Sequence, residues 1–293
     1  MSTDEGTQKF LSESLTRYFD PHFQSCMAAI KTIAGHELHE KYKTGFLEFH
    51  RYITNPQPDF ITKLRSDPKK EHWYHLMVNG VLGNVQRSFS CVLYHQGRLS
   101  NVEAELMTAI RGYNLHDKLG AATMGLGDSS ILDFEYQAYV LAYRRCLDQF
   151  AGAMAAFFKN KYSSFRTLPA FLARRKPETV ARLISDIHGK YVEHFEFVLS
   201  EGGVTSVRDR LAHYEFVPAG CVNISARGVV LVGGGENLNL NGDNSSLTEI
   251  LSKKTDILYE CIAEIIQSFI QSTSKWEVSK GEREHHYPMN KSI

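Results

Sequence analysis

The sequence predicts a mainly α-helical protein, and three observations carry that reading. Apolar residues recur at helical spacing along most of the chain. Helix start and stop signals frame those stretches. Only one short region, around residues 221–232, has the character of paired strands. With 293 residues, 43% of them hydrophobic and 23% charged, the chain can bury one large core or two modest ones.

Phe10, Leu11, Leu15, Tyr18 and Phe19 place a first helix at about 5–19. Asp20-Pro21 supplies an N-cap and a first-turn proline for a second helix running to about residue 52. Asn55-Pro56-Gln57-Pro58 breaks it. A third helical region spans about 70–99, weakened in its interior by Gly80 and Gly83, and a shorter helix covers 101–116. After a glycine-bearing loop from Gly120 to Ser130, Ser130 and Asp133 stand at capping-box spacing. Tyr136, Val140, Tyr143, Leu147, Phe150, Met154 and Phe157 then form one apolar stripe, which predicts a central packing helix to about residue 158.

Pro177 and Glu178 open the next helix, with Val180, Leu183, Ile184, Ile187, Tyr191, Phe195 and Val198 inward and Gly202-Gly203 as its stop. A short helix covers about 205–215. Cys221–Ser225 and Gly228–Val232 flank a turn at Ala226-Arg227 and read as a small β-hairpin. Residues 233–245 read as a loop. Ser246 and Glu249 make a second capping box, and the last long helix turns Leu247, Ile250, Leu251, Ile257, Leu258, Cys261, Ile262, Ile265, Ile266 and Phe269 inward. On these signals residues 1–120 form an N-terminal helical region of unassigned role. Residues 121–277 form a helical domain with the hairpin at about 216–233, and 278–293 form a disordered tail.

Composition excludes several classes. The 33 basic and 33 acidic residues cancel, so contact with nucleic acid has to come from a local basic patch. Cys26, Cys91, Cys146, Cys221 and Cys261 are scattered and contain no CxxC pair, which argues against a disulfide framework and a cysteine zinc site. Cys91, Cys146 and Cys261 fall on predicted helical faces as small hydrophobes. A reducing, cytoplasmic setting follows. The N-terminal MSTDEGTQKF lacks the features of a signal peptide. Asp133, Glu135, Arg144, Arg145 and Asp148 exclude 131–158 as a membrane span.

The best candidate for chemistry is Thr205-Ser206-Val207-Arg208-Asp209-Arg210-Leu211-Ala212-His213. Arg-x4-His occurs at Arg17/His22, Arg111/His116 and Arg208/His213, but the first contains Pro21 and the second contains Gly112 and Asn114. Only the third sits in a clean short helix with a polar residue directly after the arginine. Positions five apart point about 140° apart on a straight helix. Asp209 and His213, four apart, share a face, so Asp209 is placed to orient the imidazole. With Thr205 or Ser206 as N-cap, Arg208 lies in the first turn, where backbone N–H groups favour an anion.

This segment resembles the ribonuclease motif of the HEPN superfamily: arginine, a polar residue, small apolar filling, then histidine. The order of parts is similar too, with a long aromatic-rich helix (130–158), another (178–199), the motif helix and a closing helix (246–272). The resemblance covers roughly residues 125–275. It implies a HEPN-like helical bundle carrying an added N-terminal helical region and the small hairpin after the motif helix. It implies a metal-independent endoribonuclease, a toxin or anti-phage effector, that leaves a 2′,3′-cyclic phosphate and a 5′-hydroxyl. The catalytic residues would be Arg208, Asp209 and His213, with Arg210 as a further phosphate contact. It also implies a homodimer with a composite active site, RNA such as tRNA as substrate, an antitoxin or regulatory protein as partner, and no cofactor or metal. A non-catalytic helical dimer that binds a partner protein or RNA is the alternative.

Other patterns carry less. His36/His39 and His72/His75 are histidine pairs at i, i+3, but His-Glu-Leu-His is not HExxH, and a solvated helix face explains both. Gly233-Gly234-Gly235 lacks the Lys-Ser/Thr of a phosphate loop. No Gly-x-Ser-x-Gly elbow is present. Arg174, Arg175 and Lys176, with Lys159, Lys161 and Arg166, form the most basic stretch and are candidate substrate-binding residues, though a solvated loop explains them as well. Tyr162 and Phe165 among them either stack bases or anchor the loop.

Overall fold

A computed structural model of the chain describes residues 20–35, 38–67, 71–112, 124–126, 129–199, 205–213, 216–225, 228–233 and 246–286. It is mainly helical. The chain divides into two compact units, residues 1–39 and 40–293. Among the described residues no helix is long and apolar enough to cross a membrane.

In the first unit, α1 (Pro21–Ala34) begins where the sequence places it: the Asp20 carboxylate accepts from the N–H groups of His22 and Phe23 at 2.8 and 3.0 Å. It ends far short of residue 52, because Gly35 turns extended at its C-terminus. A Cβ at Gly35 would lie 2.4 Å from the Lys31 carbonyl oxygen. The helix expected at 5–19 lies outside the described residues.

The second unit crosses the boundary that the sequence suggests at residue 120. Helices α2 (Thr44–Thr54), α3 (Asp59–Arg65), α4 (Glu71–Val78) and α5 (Gln86–Arg111) precede that point. Helices α6 (Ser130–Phe157), α7 (Leu168–Leu172), α8 (Glu178–Tyr191), α9 (Val207–His213) and α10 (Leu247–His286) follow it. α4 and α5 pack on α6, and α2 packs on α10, so both sides of the boundary share one core. α5 continues through residue 100 rather than stopping at 99. α10 runs past Val278 to His286, where the sequence predicts disorder.

α6 is the centre. Tyr136, Val140, Tyr143, Leu147, Phe150 and Met154 are all fully buried, as the stripe predicts. Each such side chain contributes roughly 1.5–3 kcal/mol through removal from water. Tyr139 donates to the Leu251 carbonyl at 3.1 Å and Tyr143 to the Lys254 carbonyl at 2.8 Å, which fastens α6 to α10. The capping box of α10 forms: the Ser246 N–H donates to Glu249 at 3.2 Å, and the Glu249 N–H donates to Ser246 Oγ at 3.3 Å. The proposed box at Ser130/Asp133 does not form, and no side chain caps α6. Asp133 is buried and accepts from the Ala219 N–H at 2.6 Å, which pins the chain after the motif helix to α6. Leu183 and Cys91, expected inward, are exposed.

Between α4 and α5 the helix opens into a π turn over Asn79–Val85. The reason lies across the interface. A Cβ at Gly80 would stand 2.7 Å from the Ala153 Cβ, so the absence of a side chain lets this turn touch α6 directly. α6 ends in a Schellman motif: Asn160 N–H reaches the Ala155 carbonyl at 3.2 Å and Lys159 N–H reaches that of Ala156 at 2.9 Å. Its left-handed position is occupied by Lys159, φ 57°, where glycine would be about 1 kcal/mol easier.

Backbone pairing also joins three short strands, β1 (Met124–Leu126), β2 (Gly220–Ser225) and β3 (Gly228–Gly233), in the order β1-β2-β3, all antiparallel. Ala226, Arg227, Gly234 and Gly235 lie outside the described residues.

Candidate active site

The motif helix α9 has seven residues. Val207 is buried and anchors it against α6. Ser206, also buried, is its cap: the Asp209 N–H donates to Ser206 Oγ at 3.2 Å, and Ser206 Oγ donates to Asp209 Oδ2 at 3.0 Å. The other carboxylate oxygen of Asp209 accepts from the Arg208 guanidinium at 2.7 Å. Asp209 therefore fixes both the cap and the arginine. One N–H of Arg208 is engaged in that pair, and a guanidinium has five.

Arg208 lines a cleft of about 620 Å³ on the face of α6, while His213, at the far end of α9, is exposed and is not part of the lining. The cleft is basic. Arg144, Arg145 and Lys161 line it with Arg208, and Asp148 is its one acidic residue. Arg144 is held by Asp148 at 2.8 Å and by the Val198 carbonyl at 3.0 Å. Asp148 also accepts from the Phe165 N–H at 3.0 Å, so one carboxylate positions an arginine and the loop that brings in Lys161. The π turn supplies Gly80 and Asn84 to the opposite wall. Over Arg145 the cleft continues into a second depression, sharing Asn84, Leu141 and Gln149 and reaching Arg87.

Arg210 does not line the cleft; its charge acts on Tyr136, whose phenol is pushed up mainly by burial and lowered by that guanidinium. The basic stretch divides. Lys161 and Tyr162 line the cleft, while Arg174 and Arg175 do not. Arg175 lies over the Phe171 ring at 4.2 Å, and Phe171 stacks on Tyr162 at 4.5 Å. Lys176 lines a separate pocket. Phe165 is fully buried and serves as the loop anchor. Its carbonyl accepts from buried His188 at 2.9 Å, and burial holds that imidazole below its ordinary pKa.

Sequence reasoning missed Arg144, Arg145 and Arg87 as site residues. The signal was present in the first two: adjacent arginines interrupt a helix that is otherwise apolar on most of its surface. Among the described residues no group of His, Cys, Asp and Glu is arranged to hold a metal ion. Compared with protein-family models, with curated proteins and with solved structures, the chain matches none.

Proposed function

We propose that this protein binds RNA in the basic cleft and cleaves it as a HEPN-like, metal-independent endoribonuclease. The observation that carries the reading is Arg208: the arginine of the motif is held by Asp209 and lines a cleft with Arg144, Arg145 and Lys161. Arginine forks match phosphate oxygens in pairs, and this arrangement suits the sugar-phosphate backbone more than a small neutral substrate.

In the reaction, His213 takes the proton of a ribose 2′-hydroxyl. The 2′-oxygen forms a bond to phosphorus, the bond from phosphorus to the 5′-oxygen breaks, and that oxygen takes a proton from water as it leaves, while the proton held by His213 returns to solvent. The products are a 2′,3′-cyclic phosphate and a 5′-hydroxyl. Arg208 stabilises the charge that develops on the non-bridging oxygens, and Asp209 is its positioning residue. A homodimer in which two α9 helices face each other would bring the exposed His213 of one copy to RNA held beside Arg208 of the other. A cytoplasmic toxin or anti-phage effector acting on tRNA or another cellular RNA, restrained by an antitoxin or regulatory partner, is the biological role that fits.

The test is RNA cleavage by the purified protein in EDTA, with His213→Ala expected to abolish it without lowering the melting temperature. Cleavage undiminished in that variant overturns the reading. The exposed position of His213, away from the cleft lining, favours a second reading, a non-catalytic helical dimer that binds RNA through the same arginines. That reading predicts RNA binding lost on Arg145→Ala and no cleavage under any condition.

A further inference from the structure

On the other side of Trp73 lies a second, narrower pocket of about 290 Å³. Its wall is aromatic: Trp73, Tyr74, Phe157, Phe158 and Trp276 line it. Trp73 and Trp276 are the only two tryptophans of the chain, and they come from helices α4 and α10, two hundred residues apart in sequence. The pocket's one carboxylate, Glu277, is already neutralised. Arg65 pairs with it at 2.9 Å, both side chains are almost wholly buried, and Tyr52 donates to the same carboxylate at 3.1 Å. What remains is a lysine rim. Lys159, Lys176 and Lys280 line the mouth, and none has a carboxylate partner among the described residues. Lys280 stands over the Trp276 ring at 5.2 Å.

We propose that this pocket binds one nucleotide, with the planar base against the aromatic wall and the phosphate on the lysine rim. An apolar ligand has no use for three ammonium groups without a carboxylate partner among the described residues, and a bare phosphate has none for five rings. A nucleotide uses both, through stacking on the rings and charge on the lysines. The backbone supplies an independent argument. Lys159 occupies the left-handed position of the Schellman motif that ends α6, where its side chain adds strain and no packing, since it is exposed. A phosphate at the rim gives that lysine a task. The nucleotide is either free or one unit of an RNA strand that passes Trp73 from the neighbouring cleft, which shares that residue and Ala156. The proposal does not rest on the cleavage chemistry of Arg208 and His213.

Trp276 lines this pocket and not the neighbouring cleft, so its fluorescence, read in a Trp73→Phe background, reports the pocket's occupancy. The full-length protein is titrated with adenosine 5′-monophosphate, uridine 5′-monophosphate and a 2′-O-methyl RNA decamer, which attack by a 2′-oxygen cannot cut. Saturable quenching by a monophosphate assigns a free nucleotide, and quenching by the decamer alone assigns a strand. Lys176→Ala and Lys280→Ala each weaken binding about tenfold. Lys159→Gly separates site from scaffold: it weakens binding while raising the melting temperature by about 2 °C. No quenching by any of the three probes overturns the proposal, and so does quenching that all three lysine variants leave unchanged.

Discussion

Two concavities meet at Trp73, and they are built from different chemistry. The wider one is lined by arginines set on the middle of α6 and α9, with Arg144 and Arg208 each braced by a carboxylate. The narrower one is lined by rings from α4 and α10, with unbraced lysines at its mouth. Planar, pre-oriented forks suit a row of phosphates in a fixed track, whereas flexible point charges over an aromatic floor suit one bound unit. The difference teaches that the basic residues near the motif do not act as one patch. Residues 159–176 supply Lys161 to the cleft and Lys159 and Lys176 to the pocket, while Arg175 lies over the Phe171 ring.

That contrast can be broken most sharply at Arg208. Arg208→Ala is expected to lower the RNA cleavage rate by about a hundredfold or more while leaving nucleotide quenching in the aromatic pocket intact. Loss of both together would mean that the two concavities work as a single site. Next comes the floor of the pocket. Glu277→Ala strands Arg65 as a buried, unpaired cation and is expected to cost about 3–5 kcal/mol in denaturant unfolding. The double change with Arg65→Met should recover most of this, and a small effect for the single variant would show that Arg65 escapes to water.

A third test addresses the wall of the cleft. Gly80→Ala forces a methyl against Ala153 and is expected to destabilise by about 1–3 kcal/mol. Ala153→Gly in the same chain should restore part of that loss, as a double-mutant cycle would read. The smallest effect is at His188. Burial holds its folded pKa below the ordinary value, so the unfolded chain binds more protons between the two values. Its contribution to stability is complete above about pH 6.5 and declines as pH falls below that. In melting curves His188→Gln should flatten that part of the pH dependence; an unchanged slope would assign it to other histidines.

The helices that carry their own signals were legible in the sequence. The apolar stripe of α6, the capping box at Ser246/Glu249 and the Asp20-Pro21 start of α1 are local, and each acts within a few residues of where it is read. What the sequence hid is non-local. Asp133 resembles a capping residue until Ala219, distant in sequence, takes its carboxylate. The sequence suggests a boundary at the glycine-bearing loop after residue 120, yet the helices before it share a core with those after it. The site was legible only in part. The motif arginine lines a basic cleft, but Arg144 and Arg145 counted at first only as charges against a membrane span. The pairing of Trp73 with Trp276 across one pocket cannot be seen in a linear pattern.

The π turn between α4 and α5 has a consequence for how this chain tolerates changes in length. A turn closed by i→i+5 bonds holds one more residue than an α turn. Deleting Gly83, whose surroundings are open, would let Asn79–Val85 relax to ordinary α-helix and leave the helices on either side at nearly the same mutual rotation, whereas the same deletion inside α5 would turn them by about 100°. Trp73 would keep its place on the shared wall while Phe89 and Val92 stayed in the core. The chain therefore carries a slack link: one residue can be lost at this point without changing which partners the two ends of a long rod address.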